Sequence, residues 1–260
     1  MLRRTAFAAL AAVAAFALVG CGSDSPASST SPSASGTPSV SGEINVFAAA
    51  SLTGTFTQLG KDFEAAHPGV KVNFSFDASS ALAQQIGKGA PADVFASAAP
   101  KNMDQVTDKN TPTTFVKNTL EIAVPKGNPG HVTGLKDFTD KNKKIALCAP
   151  EVPCGAAAQK VFKAAGLTAQ PDTLEKDVKA ALTKVSLDEV DAALVYKTDV
   201  QSAKDKVDGI EFPEASKAVN EYPIATLTKA PNPNGAKAFV DYVLSAKGKA
   251  VLTAAGFDAP

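Results

Sequence analysis

Val46-Phe47-Ala48-Ala49-Ala50-Ser51-Leu52 joins two kinds of pattern. The residues leading into it, Ile44 to Phe47, are mostly β-branched or aromatic, as in a strand. After it, apolar residues recur at Leu52, Phe56, Leu59 and Phe63, a helical spacing. A strand therefore ends in a tight turn of small residues, and a helix starts at or just after Ser51. A helix start exposes N–H groups without partners and a partial positive charge. A serine there either caps the helix or offers its hydroxyl and N–H to an anion.

The same device recurs along the chain. Val70 to Phe76 alternates apolar and polar positions and ends in Asp77-Ala78-Ser79-Ser80, where Leu82 to Ile86 opens another helix. Ala92 to Ala98 is a short strand, and Phe115 to Pro125 is a long strand signal. Lys144 to Cys148 feeds a loop, Ala149 to Gly155, ahead of a helix over 156–165. Asp177 to Val185 is helical, and Val190 to Tyr196 reads as a buried strand with Tyr196 at its end. Short strands follow at 209–213 and 222–227, then a loop at Asn232 to Gly235 and helices over 237–245 and 247–255. Strands alternating with helices predict an α/β fold whose sheets are largely parallel or mixed and covered on both faces. Ligands in such folds sit beyond the C-terminal ends of strands. Ser51, Ser79, the Cys154 loop and Tyr196 share that placement, which favours the anion reading over capping.

The N-terminal region has a different character. Arg3-Arg4 precede an uncharged apolar run from Ala6 to Val19, the pattern of a signal peptide over residues 1–20. The run ends Leu18-Val19-Gly20-Cys21, which resembles the lipobox of bacterial lipoproteins and makes Cys21 the expected lipidated residue. A plain secretory signal with an incidental cysteine is the alternative. Residues 22 to about 41 are rich in Ser, Pro, Ala, Gly and Thr and contain nothing to build a core, so residues 21–41 are expected to be a tether.

The remaining cysteines, Cys148 and Cys154, would lie in an oxidising compartment, and a disulfide between them is expected, with two free thiols as the alternative. The whole chain carries 26 basic and 26 acidic residues. That balance argues against a nucleic-acid partner. It also supplies no basic patch, so a bound anion has to be held by neutral dipoles. Enzyme readings fare poorly. A serine hydrolase built on Ser51 or Ser79 needs a base, and the two histidines, His67 in His67-Pro68-Gly69 and His131 after Asn128-Pro129-Gly130, read as loop residues. Neither serine lies in a nucleophile-elbow pattern, and no zinc-type spacing occurs.

Taken in order, Val46-Phe-Ala-Ala-Ala-Ser-Leu52, Ser79-Ser80-x-Leu82-Ala83-Gln84-Gln85-Ile86, Gly89-Ala90-Pro91-Ala92-Asp93-Val94-Phe95, Val152-Pro153-Cys154-Gly155, Leu194-Val195-Tyr196, Glu221-Tyr222-Pro223-Ile224 and Ala255-Gly256-Phe257 resemble the molybdate-binding proteins of bacterial ABC importers. The likeness spans about residues 43–258. It implies a two-lobed type II periplasmic-binding fold with mixed, mostly parallel sheets and helices on both faces. Lobe 1 would be residues 43–119 plus 225–260, and lobe 2 residues 120–224. It implies an oxyanion held by the hydroxyls and N–H groups of Ser51 and Ser79, the backbone N–H of Cys154 and Val178, and the hydroxyl of Tyr196. The metal of molybdate would have no direct protein ligand. Where Cys154 stands, the family commonly has alanine, a change that a backbone donor tolerates. Asp77 stands near the second serine turn, where a small neutral residue is usual, and is expected to point away from the anion.

The resemblance further implies a monomer outside the cytoplasm, tethered to the membrane by its lipid and delivering molybdate, and tungstate, to the importer's permease. No cofactor and no catalysis are expected. Molybdate is a fully deprotonated dianion and asks only for donors. Sulfate is the alternative ligand, to be told apart by size.

Overall fold

The computed structural model describes residues 40–260. The signal peptide, the Cys21 lipid site and nearly all of the tether lie outside the described residues. Two five-stranded sheets organise the described residues. The first lobe opens with β1 (Gly42–Ala49), a 3-10 turn over Ala50–Leu52, α1 (Thr53–Ala66), β2 (Val70–Asp77), α2 (Ser79–Gly87), β3 (Val94–Ala96), α3 (Pro100–Asp104) and β4 (Thr113–Asn118). The chain then enters the second lobe with β5 (Leu120–Pro125), β6 (Ile145–Cys148), α4 (Pro153–Ala165), β7 (Thr173–Glu175), α5 (Val178–Ser186), β8 (Ala192–Tyr196), α6 (Lys197–Ser202) and β9 (Val207–Ile210). It returns through β10 (Asn220–Thr226) and ends in α7 (Pro233–Leu244) and α8 (Ala246–Ala254).

The sheets repeat one design. Their orders are β2-β1-β3-β10-β4 and β7-β6-β8-β5-β9. In each, three strands pair in parallel, and the fourth position is taken by a strand that has just crossed from the other lobe and runs antiparallel to both neighbours. The sheets are therefore mixed but mostly parallel in direction, with four of the five strands running one way and the crossing strand against them, because it enters its new sheet from the opposite end. The run from Phe115 to Pro125 is two strands, not one. Sheet membership changes at Thr119, which lies between β4 and β5. The return comes earlier than the expected 225, since Asn220 to Pro223 already pair with β4.

Period-two alternation distributes β1 between two layers. Ile44, Val46 and Ala48 pack in one buried cluster with Phe56, Leu59 and Phe63 of α1 and Phe239 of α7, while Phe47 joins Leu82 of α2 and Met103 of α3 on the other face. β6 and β8 are buried along their whole lengths, as strands covered on both sides must be. Ala50 and Ala78, from the first lobe's turns, pack in the second lobe's core cluster, so the lobes meet where β1 and β2 end. Among the described residues, no helix is long and apolar enough to cross a membrane.

Candidate functional site

Ser51 sits in the 3-10 turn after β1, almost buried, and its hydroxyl makes no capping bond at the helix start. Its Oγ lies instead 3.0 Å from the hydroxyl of Tyr222. Ser79 is the first residue of α2 and fully buried. Its Oγ accepts the Ala98 N–H at 2.9 Å, again in place of a cap. Both serines thus stand at helix starts for reasons other than capping.

The second lobe contributes two more helix starts. α4 begins at Pro153 rather than after Gly155, so Cys154 belongs to its first turn and not to a preceding loop. Proline suits a first helical position because its missing N–H would have no partner there. Cys154 is bonded to Cys148, with Cα atoms 5.7 Å apart. The bridge joins the end of β6 to the first turn of α4. Opening this short ring, a sequence separation of 6, should lower stability by about 2 kcal/mol through the freedom restored to the unfolded chain. Melting temperatures with and without reductant check this, and equal values would refute it. Val178 opens α5, where Asp177 caps the helix by accepting the Ala180 N–H at 2.8 Å. Tyr196 ends β8, 1% exposed, and its hydroxyl accepts from Asn220 Nδ2 at 3.0 Å. Burial, first of all, pushes the Tyr196 hydroxyl well above its ordinary range, so it stays protonated.

Ser51, Ser79, Cys154, Val178 and Tyr196 all line a single cavity between the lobes. It is small, about 10 Å³, roughly the room one water-sized occupant needs. Its wall holds no lysine, arginine or histidine. Unpartnered N–H groups are available there from the first turns of α2, α4 and α5. Asp77 is absent from the wall, as expected. Its Oδ1 accepts the Ala78 N–H at 2.8 Å and lies 4.0 Å from Lys176 Nζ. Asp177, in contrast, does line the cavity and is a residue that the sequence reading passed over. The N-cap signature of an aspartate just before a helical run was the available signal. Both of its oxygens are engaged, Oδ1 by Ala180 N–H and Oδ2 by Lys176 Nζ at 3.4 Å. Asn220 and Tyr222 were likewise not anticipated as site neighbours.

One buried charge supports the site from behind. Asp199, at 0% exposure, sits with Oδ1 2.8 Å from Lys179 Nζ, while Oδ2 accepts the Tyr196 N–H at 3.1 Å. Burial raises its carboxyl above the usual range, against the pull of Lys179. Lys179→Met should cost about 2–3 kcal/mol by leaving that charge without a partner. A carboxyl raised in the folded state loses stability as pH climbs through its folded value. The variant should therefore recover as pH falls toward the carboxylate range. Melting across pH tests this, and a loss equal at every pH would refute it.

His67 stacks on Phe63 with ring centroids 4.2 Å apart, and its Nδ1 lies 3.0 Å from Phe63 O. Among the described residues, no group of three or more His, Cys, Asp or Glu side chains is placed to hold a metal ion.

Residues 44–258 match the family described as bacterial extracellular solute-binding protein. The molybdate-binding protein ModA of Mycobacterium tuberculosis is 42% identical over 247 residues, covering 94% of this chain and 93% of that one. The chain belongs to the molybdate-binding family of bacterial extracellular solute-binding proteins. Substrate-binding proteins of this family capture ligands without catalysis and carry no cofactor. A Bacillus subtilis relative, described as the putative ABC transporter substrate-binding lipoprotein YvgL, is 32% identical over 261 residues and 96% of each chain. In fold, the periplasmic molybdate-binding protein of Azotobacter vinelandii superposes with a TM-score of 0.74 at 21% identity, covering 84% of this chain and 99% of that one. The two-lobed periplasmic-binding architecture follows from that match and from the paired sheets.

Proposed function

We propose that this protein captures molybdate outside the cytoplasm and delivers it to an ABC importer. The observation that carries the reading is the convergence of Ser51, Ser79, Cys154, Val178 and Tyr196 on one buried cavity without a cation in its wall. Full burial of a dianion costs much solvation. Hydroxyls and aligned N–H groups at helix starts are what offsets that cost when no counter-charge is present. Ser51 and Ser79 would bind from the first lobe, and Cys154, Val178 and Tyr196 from the second, so the ligand favours the closed pairing of lobes by touching both. The hinge lies at the chain crossings, Thr119 and the segment between Ile210 and Asn220.

Tungstate, of nearly equal size and charge, is expected to bind comparably. The lipid anchor at Cys21 is supported by the Gly20-Cys21 placement and by the lipoprotein description of the Bacillus relative. We read the working protein as a monomer, tethered by residues 21–41 to the membrane that holds its permease.

Calorimetric titration of the purified protein with molybdate, tungstate, sulfate and hydrogenphosphate tests the reading. Tight binding of molybdate and tungstate alone is expected. Preferential binding of sulfate would keep the clamp and replace the ligand, and no binding of any oxyanion would remove the assignment.

A further inference from the structure

Two opposite charges stand just behind the cavity, and they are not equivalent. Asp199 is one hydrogen bond from the wall, because its Oδ2 accepts the N–H of Tyr196, a wall residue, at 3.1 Å. Its side chain is 0% exposed, so no water screens it. Lys179 follows Val178, another wall residue, and reaches from α5 to α6. Its Nζ lies 2.8 Å from Asp199 Oδ1 and donates to Ser202 Oγ at 3.3 Å, and Ser202 Oγ donates in turn to Asp199 O at 2.8 Å. Unlike Asp199, Lys179 is 31% exposed and lines a second cavity, of about 380 Å³, together with Ser202.

We propose that Lys179 is a positioning residue of the oxyanion site: without touching the ligand, it holds a counter-charge against Asp199 and so lets a dianion enter a site backed by a buried carboxylate. The inference rests on the oxyanion-site reading above. Asp199 has a structural task, since it lies in the first turn of α6, where a negative charge is favoured, and accepts the Tyr196 N–H there. That task puts a charge where it would repel an anion in the cavity. At the low effective dielectric of a buried site, such repulsion is far stronger than in water. Opposite charges 2.8 Å apart largely cancel when felt from beyond the pair, so Lys179 leaves almost no net charge behind Tyr196. The hydroxyls and N–H groups of the wall then hold the ligand unopposed. The two halves differ in what their loss leaves behind. Without Lys179 the remaining charge is buried, negative and unscreened, whereas without Asp199 it is positive and partly in water. Asp177, the carboxylate on the wall, keeps its own lysine, Lys176 at 3.4 Å, in either case.

Molybdate titration by calorimetry, at neutral pH and well below each melting temperature, tests this. Lys179→Met keeps an apolar stem and removes the ammonium, and affinity should fall about tenfold or more. Asp199→Asn removes the charge, keeps an oxygen for the Tyr196 N–H and leaves Lys179 uncompensated, so affinity should rise about threefold. Joining the two changes should bring affinity back to within about threefold of the unchanged protein, because Lys179 acts through Asp199. Lys184→Met is the control: it takes a cation from the same helix, one paired with Glu189 at 3.0 Å and absent from the wall, and should alter affinity by no more than about twofold. A pair that only held the fold would behave differently, since losing either half would weaken binding and the double variant would not recover. Weaker binding in Asp199→Asn, a double variant as weak as Lys179→Met, or a Lys179→Met variant that binds as before would each overturn the proposal. The sign of the Asp199→Asn effect decides even if Lys179→Met melts too low to titrate. If the unchanged protein bound no oxyanion, the site reading would fail and take this proposal with it; binding by the unchanged protein with any of the three adverse results removes this proposal alone.

Discussion

Ser79→Ala should weaken molybdate binding by about ten- to a hundredfold, the range expected for one hydrogen bond to a charged acceptor. Ser79 is at 0% exposure and its hydroxyl has a single proton to give. The Ala98 N–H occupies one of its lone pairs, which leaves that proton free to be donated to the anion in the site proposed above. Truncation removes this donor and also leaves the buried Ala98 N–H without its partner. The second effect costs stability, about 1–3 kcal/mol, and is separable from the first. Melting without ligand reports the stability loss, and titration well below that melting temperature reports the affinity loss. A variant that melts lower yet binds molybdate as before would show that Ser79 is a structural hydroxyl only, and the wall of the site would need another donor in the first lobe.

That double role explains which parts of the site could be read in the sequence. Ser51 and Ser79 stand out because each follows a strand pattern and precedes a helical one, and the chemistry of a helix start is local. Tyr196 stands out as the polar end of an apolar strand. Val178 and Cys154 were placed by motif likeness rather than by any property of their side chains, since the role proposed for them uses only the backbone. The residues behind them are silent. Asn220 lies 24 positions from Tyr196, and Tyr222 lies 171 positions from Ser51. No periodicity links such partners, because the contact exists only once β10 has crossed back into the first sheet. The same crossing misled the strand reading, since alternation along Phe115 to Pro125 cannot reveal that the chain changes sheets at Thr119. Helix starts were read late where a proline opened them: α4 begins at Pro153 and α7 at Pro233, positions that look like loop in sequence but suit the first turn. β7, three residues long and not fully buried at any of them, left no pattern to find.

Gly155→Ala should damage stability and binding together, with a loss of stability at or above the top of the range expected for Ser79→Ala. A Cβ at Gly155 would lie 1.9 Å from Ala149 O and 2.7 Å from Cys148 O. Both are backbone atoms, so no side chain can rotate away. The start of α4 has to move off the end of β6, and the Cys148–Cys154 bridge opposes that movement because it ties the same two elements. Overpacking against backbone of this kind should cost about 3 kcal/mol or somewhat more. The shift also displaces Val152, Pro153 and Cys154, which form the second lobe's part of the cavity wall. Because hydrogen bonds weaken steeply with distance and angle, molybdate affinity should fall by at least about tenfold. Gly87→Ala is the matched control: it ends α2, and a Cβ there meets nothing within 4 Å. Its effect should stay within about 0.5 kcal/mol. Denaturant unfolding and titration of the two variants side by side decide the matter. If Gly155→Ala were as mild as Gly87→Ala, the close approach of α4 to β6 could not be what holds the Cys154 N–H at the cavity.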